Sequence, residues 1–166
     1  MQIIVHGATG RMGQLICAAA GNEVAARVSP EYPANENGCW QTLSDYQGPA
    51  DCVVDFSHHS ATGALVDYCL ARRLPLLIAT TGQTEPERAQ IKAAAAEIPV
   101  FFASNYSLGI AVLADIARRA TAMFPDADIE IVEMHHNQKL DVPSGTALTL
   151  ASSIASVRPG AELVIG

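Results

Sequence analysis

The sequence predicts an α/β fold built as a doubly wound parallel sheet, and three observations carry that prediction. Short apolar runs recur at residues 1–5, 23–28, 51–56, 74–79 and 99–103, bounded by Gly, Pro, Ser, Thr or Asn. Helix-patterned segments separate most of these runs, which is the strand–helix alternation of parallel sheets. The first run also passes straight into a glycine turn followed by a helix-prone segment, the context that lifts a glycine pattern above chance.

Taken in order, residues 1–5 read as a buried strand, and His6-Gly7-Ala8-Thr9-Gly10-Arg11-Met12-Gly13 follows at once. The spacing is G-x-x-G-x-x-G. Gly7 allows the tight turn, Gly10 the approach of backbone to a pyrophosphate, and Gly13 the packing of helix on strand. This is a Rossmann-type arrangement, with His6 read as a packed strand-end residue and not a catalyst. Residues 23–28 form the second strand. In such folds an acidic residue near its end meets the adenosine ribose; here Val28-Ser29-Pro30 is flanked by Arg27 and Glu31. Glu31 is the candidate for the ribose hydroxyls and Arg27 for a 2′-phosphate, so both NADH and NADPH stay open. Residues 30–48 are rich in Pro, Asn and Gly and read as a loop with a short helix near 41–46.

Residues 51–56 alternate into a third strand, and Ser57 or Ser60 is placed to cap a helix running to about Arg73. Residues 74–79 are a fully apolar fourth strand ending in Thr80-Thr81-Gly82. Thr84-Glu85-Pro86-Glu87 has the capping-box pattern with proline in the first turn, opening a helix to about Glu97. Residues 99–103 make a fifth strand ending in Ser104-Asn105-Tyr106-Ser107, from which a long helix runs to about Met123. Ligands of such sheets sit beyond the carboxyl ends of the strands, so residues 7–13, 80–82 and 104–106 share one edge. The pattern changes after Phe124-Pro125-Asp126. Residues 1–125 are therefore read as a dinucleotide-binding domain, and residues 126–166 as a short substrate domain.

The densest chemistry lies in residues 130–147. A β-branched run reads as a strand ending near His135, Pro143 stops regular structure, and Ser144 stands where an N-cap belongs. A helix start carries unpaired N–H groups and partial positive charge, so Ser144, Gly145 and Thr146 can hold a carboxylate. His135 and Lys139 can supply protons near neutral pH. Adjacent strand side chains point to opposite faces, so His135 and His136 do not chelate one ion, and no metal site is predicted.

Composition narrows the classes. The chain has 166 residues, 49% apolar and only 16% charged, enough for a packed core. A net charge of −7 and 5% aromatics argue against a nucleic-acid partner. No apolar stretch nears the roughly 20 residues that cross a bilayer, and four dispersed cysteines without a C-x-x-C pair suit reduced thiols. A soluble, cytoplasmic protein is expected. A second domain of about 40 residues would be hard to stabilise alone, which predicts completion by another subunit or by further chain.

With the glycine turn, T-T-G, S-N-Y-S and E-x-H-H-x-x-K-x-D-x-P-S-G-T-A in place, the chain resembles the dihydrodipicolinate reductases from residue 1 to about 155. These are the 4-hydroxy-tetrahydrodipicolinate reductases of lysine and diaminopimelate biosynthesis. The resemblance implies that Gly7, Ala8, Thr9, Gly10, Arg11 and Met12 bind NADH or NADPH. It implies that Ala79, Thr80, Thr81, Ala103, Ser104, Asn105 and Tyr106 place the nicotinamide. His135 is then the acid/base, His136 a substrate contact, Lys139 the proton donor, and Gly145 and Thr146 the grip on a substrate carboxylate. The resemblance further implies a small cyclic dicarboxylate as substrate, residues 126–166 as the first part of an incomplete α+β substrate and oligomerisation domain, and a homotetramer as the assembly. Ala79 stands where the family usually has glycine and Val142 where it usually has alanine, and family members continue for several tens of residues further. Two other readings are another nicotinamide-linked dehydrogenase of aspartate-family metabolism and a truncated, non-catalytic nicotinamide-binding module.

Overall fold

A computed structural model describes residues 1–135, 137 and 142–165. The chain divides into two compact units, Met1–Ala103 and the residues from Ser104 onward. The Phe124-Pro125-Asp126 stretch lies inside the second unit.

The first unit is a six-stranded sheet. Its strands are β1 (Ile3–His6), β2 (Val24–Val28), β3 (Cys39–Trp40), β4 (Cys52–Asp55), β5 (Leu76–Ile78) and β6 (Val100–Phe102). Their order is β3-β2-β1-β4-β5-β6, and every neighbouring pair is parallel. This is the doubly wound order whose direction reverses beside β1, where a crevice opens beyond the strand ends. The helices of this unit are α1 (Arg11–Ala20), α2 (Thr62–Arg72) and α3 (Glu85–Ala94). All four residues of β1 are buried, as a central strand covered on both faces requires. Alternation then divides the core. Ile3 and Val5 pack with Ala8, Ile16, Cys17 and Ala20, whereas Ile4 joins Val53, Leu65, Cys69, Ile78 and Ile91 on the other face. Register brings the strand ends level: His6 pairs with Val28 and Asp55, and Asp55 with Ile78.

Several local expectations are corrected. The loop after β2 contains the two-residue β3, held because Arg27 N–H donates to Gly38 O (2.8 Å) and Ser29 N–H to Trp40 O (2.9 Å). The short helix expected near 41–46 is a single 3-10 turn, Leu43–Asp45, closed by a Thr42–Asp45 capping box. Neither Ser57 nor Ser60 caps the next helix. A 3-10 turn, His59–Ala61, precedes α2, and the His58 ring accepts from Ser60 N–H at 3.3 Å. Helix α3 begins as expected, with Thr84 and Glu87 forming the reciprocal box and Pro86 in the first turn, but ends at Ala94 in tight turns through Ile98.

In the second unit α4 (Leu108–Met123) packs on α5 (Gly145–Ala155). The strand expected to end near His135 does not form among the described residues, and the apolar residues 163–165 form none either. Alternating apolar residues make a strand only when a partner supplies the ladder. None does here, and Val132, Met134 and Val164 are left largely exposed. Among the described residues, no helix is long and apolar enough to cross a membrane.

Candidate functional site

The glycine turn is pinned at the carboxyl end of β1. Gly7 and Ala8 N–H both donate to Val28 O, at 2.9 and 3.1 Å. Gly7 has φ +82°, and a Cβ there would lie 2.4 Å from Phe56 O, so both conformation and space demand glycine. Gly13 touches the turn from inside α1: a Cβ would lie 2.1 Å from Gly7 O and 2.7 Å from Ala8 Cα. Gly10 is the N-cap of α1 and offers no side chain to the first-turn amides. Those amides and the helix dipole are suited to a phosphate. Thr9 reaches sideways to Ser29 (Oγ1···Oγ 2.7 Å), tying the turn to the end of β2.

A buried carboxylate joins the neighbouring strand ends. Asp55 is 2% exposed. Its Oδ1 accepts from His6 Nδ1 (2.8 Å) and Ser57 Oγ (2.6 Å), and its Oδ2 accepts from Thr80 Oγ1 (2.6 Å). Thr80 also holds Gln83 through its carbonyl (2.8 Å). The Thr80 hydroxyl is thus turned inward. Three hydrogen-bond partners satisfy a polar side chain that burial would otherwise penalise.

In the second unit, Ser144 is the N-cap of α5 and its Oγ accepts from Ala147 N–H at 3.1 Å. Ser144 N–H donates to Glu133 Oε1 at 2.8 Å, and its hydroxyl donates to Glu133 Oε2. His135 Nδ1 stands 3.7 Å from the same carboxylate. With Ser144 engaged this way, Gly145 and Thr146 open the helix. Ser104 lies against Gly145, 3.1 Å from where a Cβ would be, and Asn105 Nδ2 donates to Thr146 Oγ1 at 2.8 Å. An open groove of about 340 Å³ between residues 131–133, 142–143, 147–151 and 163–165 is lined mainly by aliphatic side chains. Such a lining suits apolar contact, not a diacid.

Family comparison bears on both units. The model described as "Dihydrodipicolinate reductase, N-terminus" matches residues 1–106, and "Dihydrodipicolinate reductase, C-terminus" matches residues 109–164. The chain belongs to the dihydrodipicolinate reductase family. It is 40% identical over 163 residues to the 4-hydroxy-tetrahydrodipicolinate reductase of Caldanaerobacter subterraneus, covering 96% of this chain and 65% of the relative. It is 41% identical over 158 residues to the Campylobacter jejuni protein of that name, covering 95% and 63%. The chain therefore spans somewhat less than two thirds of the length of these curated relatives. Its structure resembles that of a dipicolinate-bound dihydrodipicolinate reductase from a Paenisporosarcina species, with TM-score 0.75 and 28% identity over 99% of this chain and 69% of the other.

Within this reductase fold, the expected cofactor residues fall into place unevenly. Gly7, Ala8, Thr9, Gly10, Arg11 and Met12 form one turn and helix start. Ala79 N–H donates to Asp55 O (2.9 Å), and Ala103 N–H to Ile78 O (3.2 Å), so both later turns leave the sheet by a ladder bond. His136 and Lys139 lie outside the described residues. Directly after β2 stands Ser29, buried and bonded to Thr9, with no carboxylate at that position. Arg27 lies beside Cys17, where it opposes the upward push of burial on that thiol. Sequence reasoning missed the acceptor role of Asp55 and took His6 only as packing. It also missed Glu133 as the partner of Ser144, although the acidic residue was visible at the head of the histidine motif.

Proposed function

We propose that this chain carries the NADH- or NADPH-dependent reduction of 4-hydroxy-tetrahydrodipicolinate in lysine and diaminopimelate biosynthesis. The observation that carries the reading is the start of α5. Glu133 and the Ala147 amide occupy Ser144, so Gly145 and Thr146 form an anion-holding helix start in the same loop system as His135. The uncapped amides of α1 and the tight packing at Gly7 and Gly13 suit a dinucleotide pyrophosphate. When bound, the reduced nicotinamide supplies a hydride to the substrate ring.

The chain's own residues then have distinct tasks. Gly7, Ala8, Thr9, Gly10, Arg11 and Met12 hold the pyrophosphate through the turn and helix start. The turns at Ala79–Thr81 and Ala103–Tyr106 orient the nicotinamide. Gly145 and Thr146 grip one carboxylate, and His136 contacts the substrate. Lys139 donates the proton that quenches the enamine-like charge, with His135 as the neighbouring acid/base; a cation there also stabilises the charge as it develops. Assembly as a homotetramer in the cytoplasm, with residues 1–125 as the dinucleotide domain, belongs to the same proposal.

The test is oxidation of NADH and NADPH by the purified chain, followed by absorbance with synthase-generated substrate. Turnover with either cofactor is expected, and Lys139→Ala is expected to lower turnover at least hundredfold while nearly keeping cofactor affinity. Cofactor binding without any turnover, in this chain and in a longer form, would reject the reductase reading in favour of a nicotinamide-binding module. A loss of cofactor affinity in Lys139→Ala would overturn the role given to Lys139.

A further inference from the structure

We propose that Asn105 is a positioning residue that commits the Thr146 hydroxyl to donating its proton to a substrate carboxylate. The proposal rests on the proposed function, which places that carboxylate at the start of α5. Asn105 belongs to the turn expected to orient the nicotinamide.

The hydrogen bonds determine which way the Asn105 amide points. Ser107 N–H donates to Asn105 Oδ1 at 2.7 Å. A backbone N–H needs an acceptor, so the oxygen faces Ser107 and the –NH₂ group faces Thr146, 2.8 Å from its Oγ1. An –NH₂ group can only donate, so Thr146 Oγ1 is here the acceptor. A hydroxyl carries one proton and two lone-pair lobes. With a lobe occupied by Asn105, the proton points away from that amide.

Thr146 is the second residue of α5, a position whose backbone N–H has no partner within the helix. Two donors on one residue, beside the positive end of a helix, match the two oxygens of a carboxylate. Accepting from Asn105 also polarises the Thr146 O–H and strengthens it as a donor. Ser104 packs against Gly145 with so little room that its contact point is 3.1 Å from a Cβ position. The Ser104-Asn105 and Gly145-Thr146 pairs are therefore held together at two adjacent points.

The test is calorimetric titration of the full chain with pyridine-2,6-dicarboxylate in the presence of NADH or NADPH, with circular dichroism to establish that each variant folds. Asn105→Ala is expected to weaken diacid binding roughly tenfold. Asn105→Asp keeps the acceptor for Ser107 N–H but captures the Thr146 proton and adds a negative charge, so it should weaken binding further. Thr146→Val should match Asn105→Ala, and Asn105→Ala placed on Thr146→Val should bring no further loss. Thr146→Ser should recover most of the affinity that Thr146→Val removes. Wild-type affinity in Asn105→Ala, or an undiminished loss in the Thr146→Val background, would overturn the proposal while leaving the carboxylate site itself standing. Absence of diacid binding by the wild-type chain would overturn both.

Discussion

Replacing Gly13 by alanine tests the packing of α1 on the glycine turn, because two physical effects oppose each other there. Within a helix, glycine-to-alanine normally stabilises by about 1 kcal/mol. At Gly13, however, the new Cβ would stand 2.1 Å from Gly7 O, whereas real Cβ atoms essentially never come within 3.0 Å. The turn cannot yield, since Val28 O holds the Gly7 and Ala8 amides and Phe56 backs Gly7. Helix α1 must therefore retreat by about 0.9 Å at its start. That loosens the contacts of Ile16, Cys17 and Ala20 with Ile3 and Val5. Overpacking of this kind costs roughly 1–3 kcal/mol, and the strong overlap with backbone puts Gly13→Ala at the upper end. Set against the helix gain of about 1 kcal/mol, the net loss is about 2 kcal/mol, which at about 2–4 °C per kcal/mol for a chain of this size lowers the melting temperature by roughly 4–8 °C. Cofactor affinity should fall with it. Gly63, also in the first turn of a helix, has only Gln90 Oε1 at 3.7 Å from its Cβ position, so Gly63→Ala should raise the melting temperature. Thermal unfolding of the two variants side by side decides the matter. A Gly13→Ala protein that melts at or above wild type, with cofactor binding kept, would refute the packing argument.

Further predictions concern buried and titrating groups. Asp55→Asn turns an acceptor for His6, Ser57 and Thr80 into a partial donor. It should destabilise the first unit by about 2–4 kcal/mol, measured by urea unfolding; a loss under about 0.5 kcal/mol would mean the network is idle. Burial, reinforced by the charge of Asp55, pushes the Cys69 thiol up to about 12, so iodoacetamide at pH 8 should leave it unlabelled in native protein and label it in urea. Labelling of native Cys69 as fast as half-buried Cys39, read by mass spectrometry, would contradict this. The Glu87 carboxyl is held below its ordinary value, first by Thr84 N–H and then by its side-chain partners His59 and Thr84. A lowered folded value contributes stability above the ordinary carboxylate range and loses it as pH falls through the folded value. Glu87→Gln should therefore be less stable than wild type at neutral pH and converge with it in acid, and a constant difference across pH would exclude the linkage.

What the sequence discloses depends on how local the cause is. β1 was legible because all four of its residues are buried, and β4 and β5 because their short β-branched or apolar runs alternate buried with partly buried positions between turn residues. The Thr84–Glu87 box and the Ser144 cap were legible because cap and helix lie within four residues. β3 was not, since two residues carry no periodicity and its bonds depend on Gly38 and Ser29 meeting it across a loop. The expected strand before His135 failed for the complementary reason: alternation was present and the pairing partner was not. Asp55 gathers groups 49 and 25 positions away, and no spacing rule links residues so far apart. Asn105 and Thr146 are likewise 41 apart, so their meeting emerges only once the chain is folded.

The position of Asp55 has a thermodynamic consequence for ligands. His6 leads directly into one loop at the sheet's edge and Thr80 begins another, and a single side chain fastens both. Neither loop has to be ordered separately when a long molecule lies across them. The conformational entropy that two mobile loops would forfeit on capture has already been lost when the chain folds. Removing that one fastening should then appear calorimetrically as a more unfavourable entropy of association, even where the contacts made in the complex are unchanged.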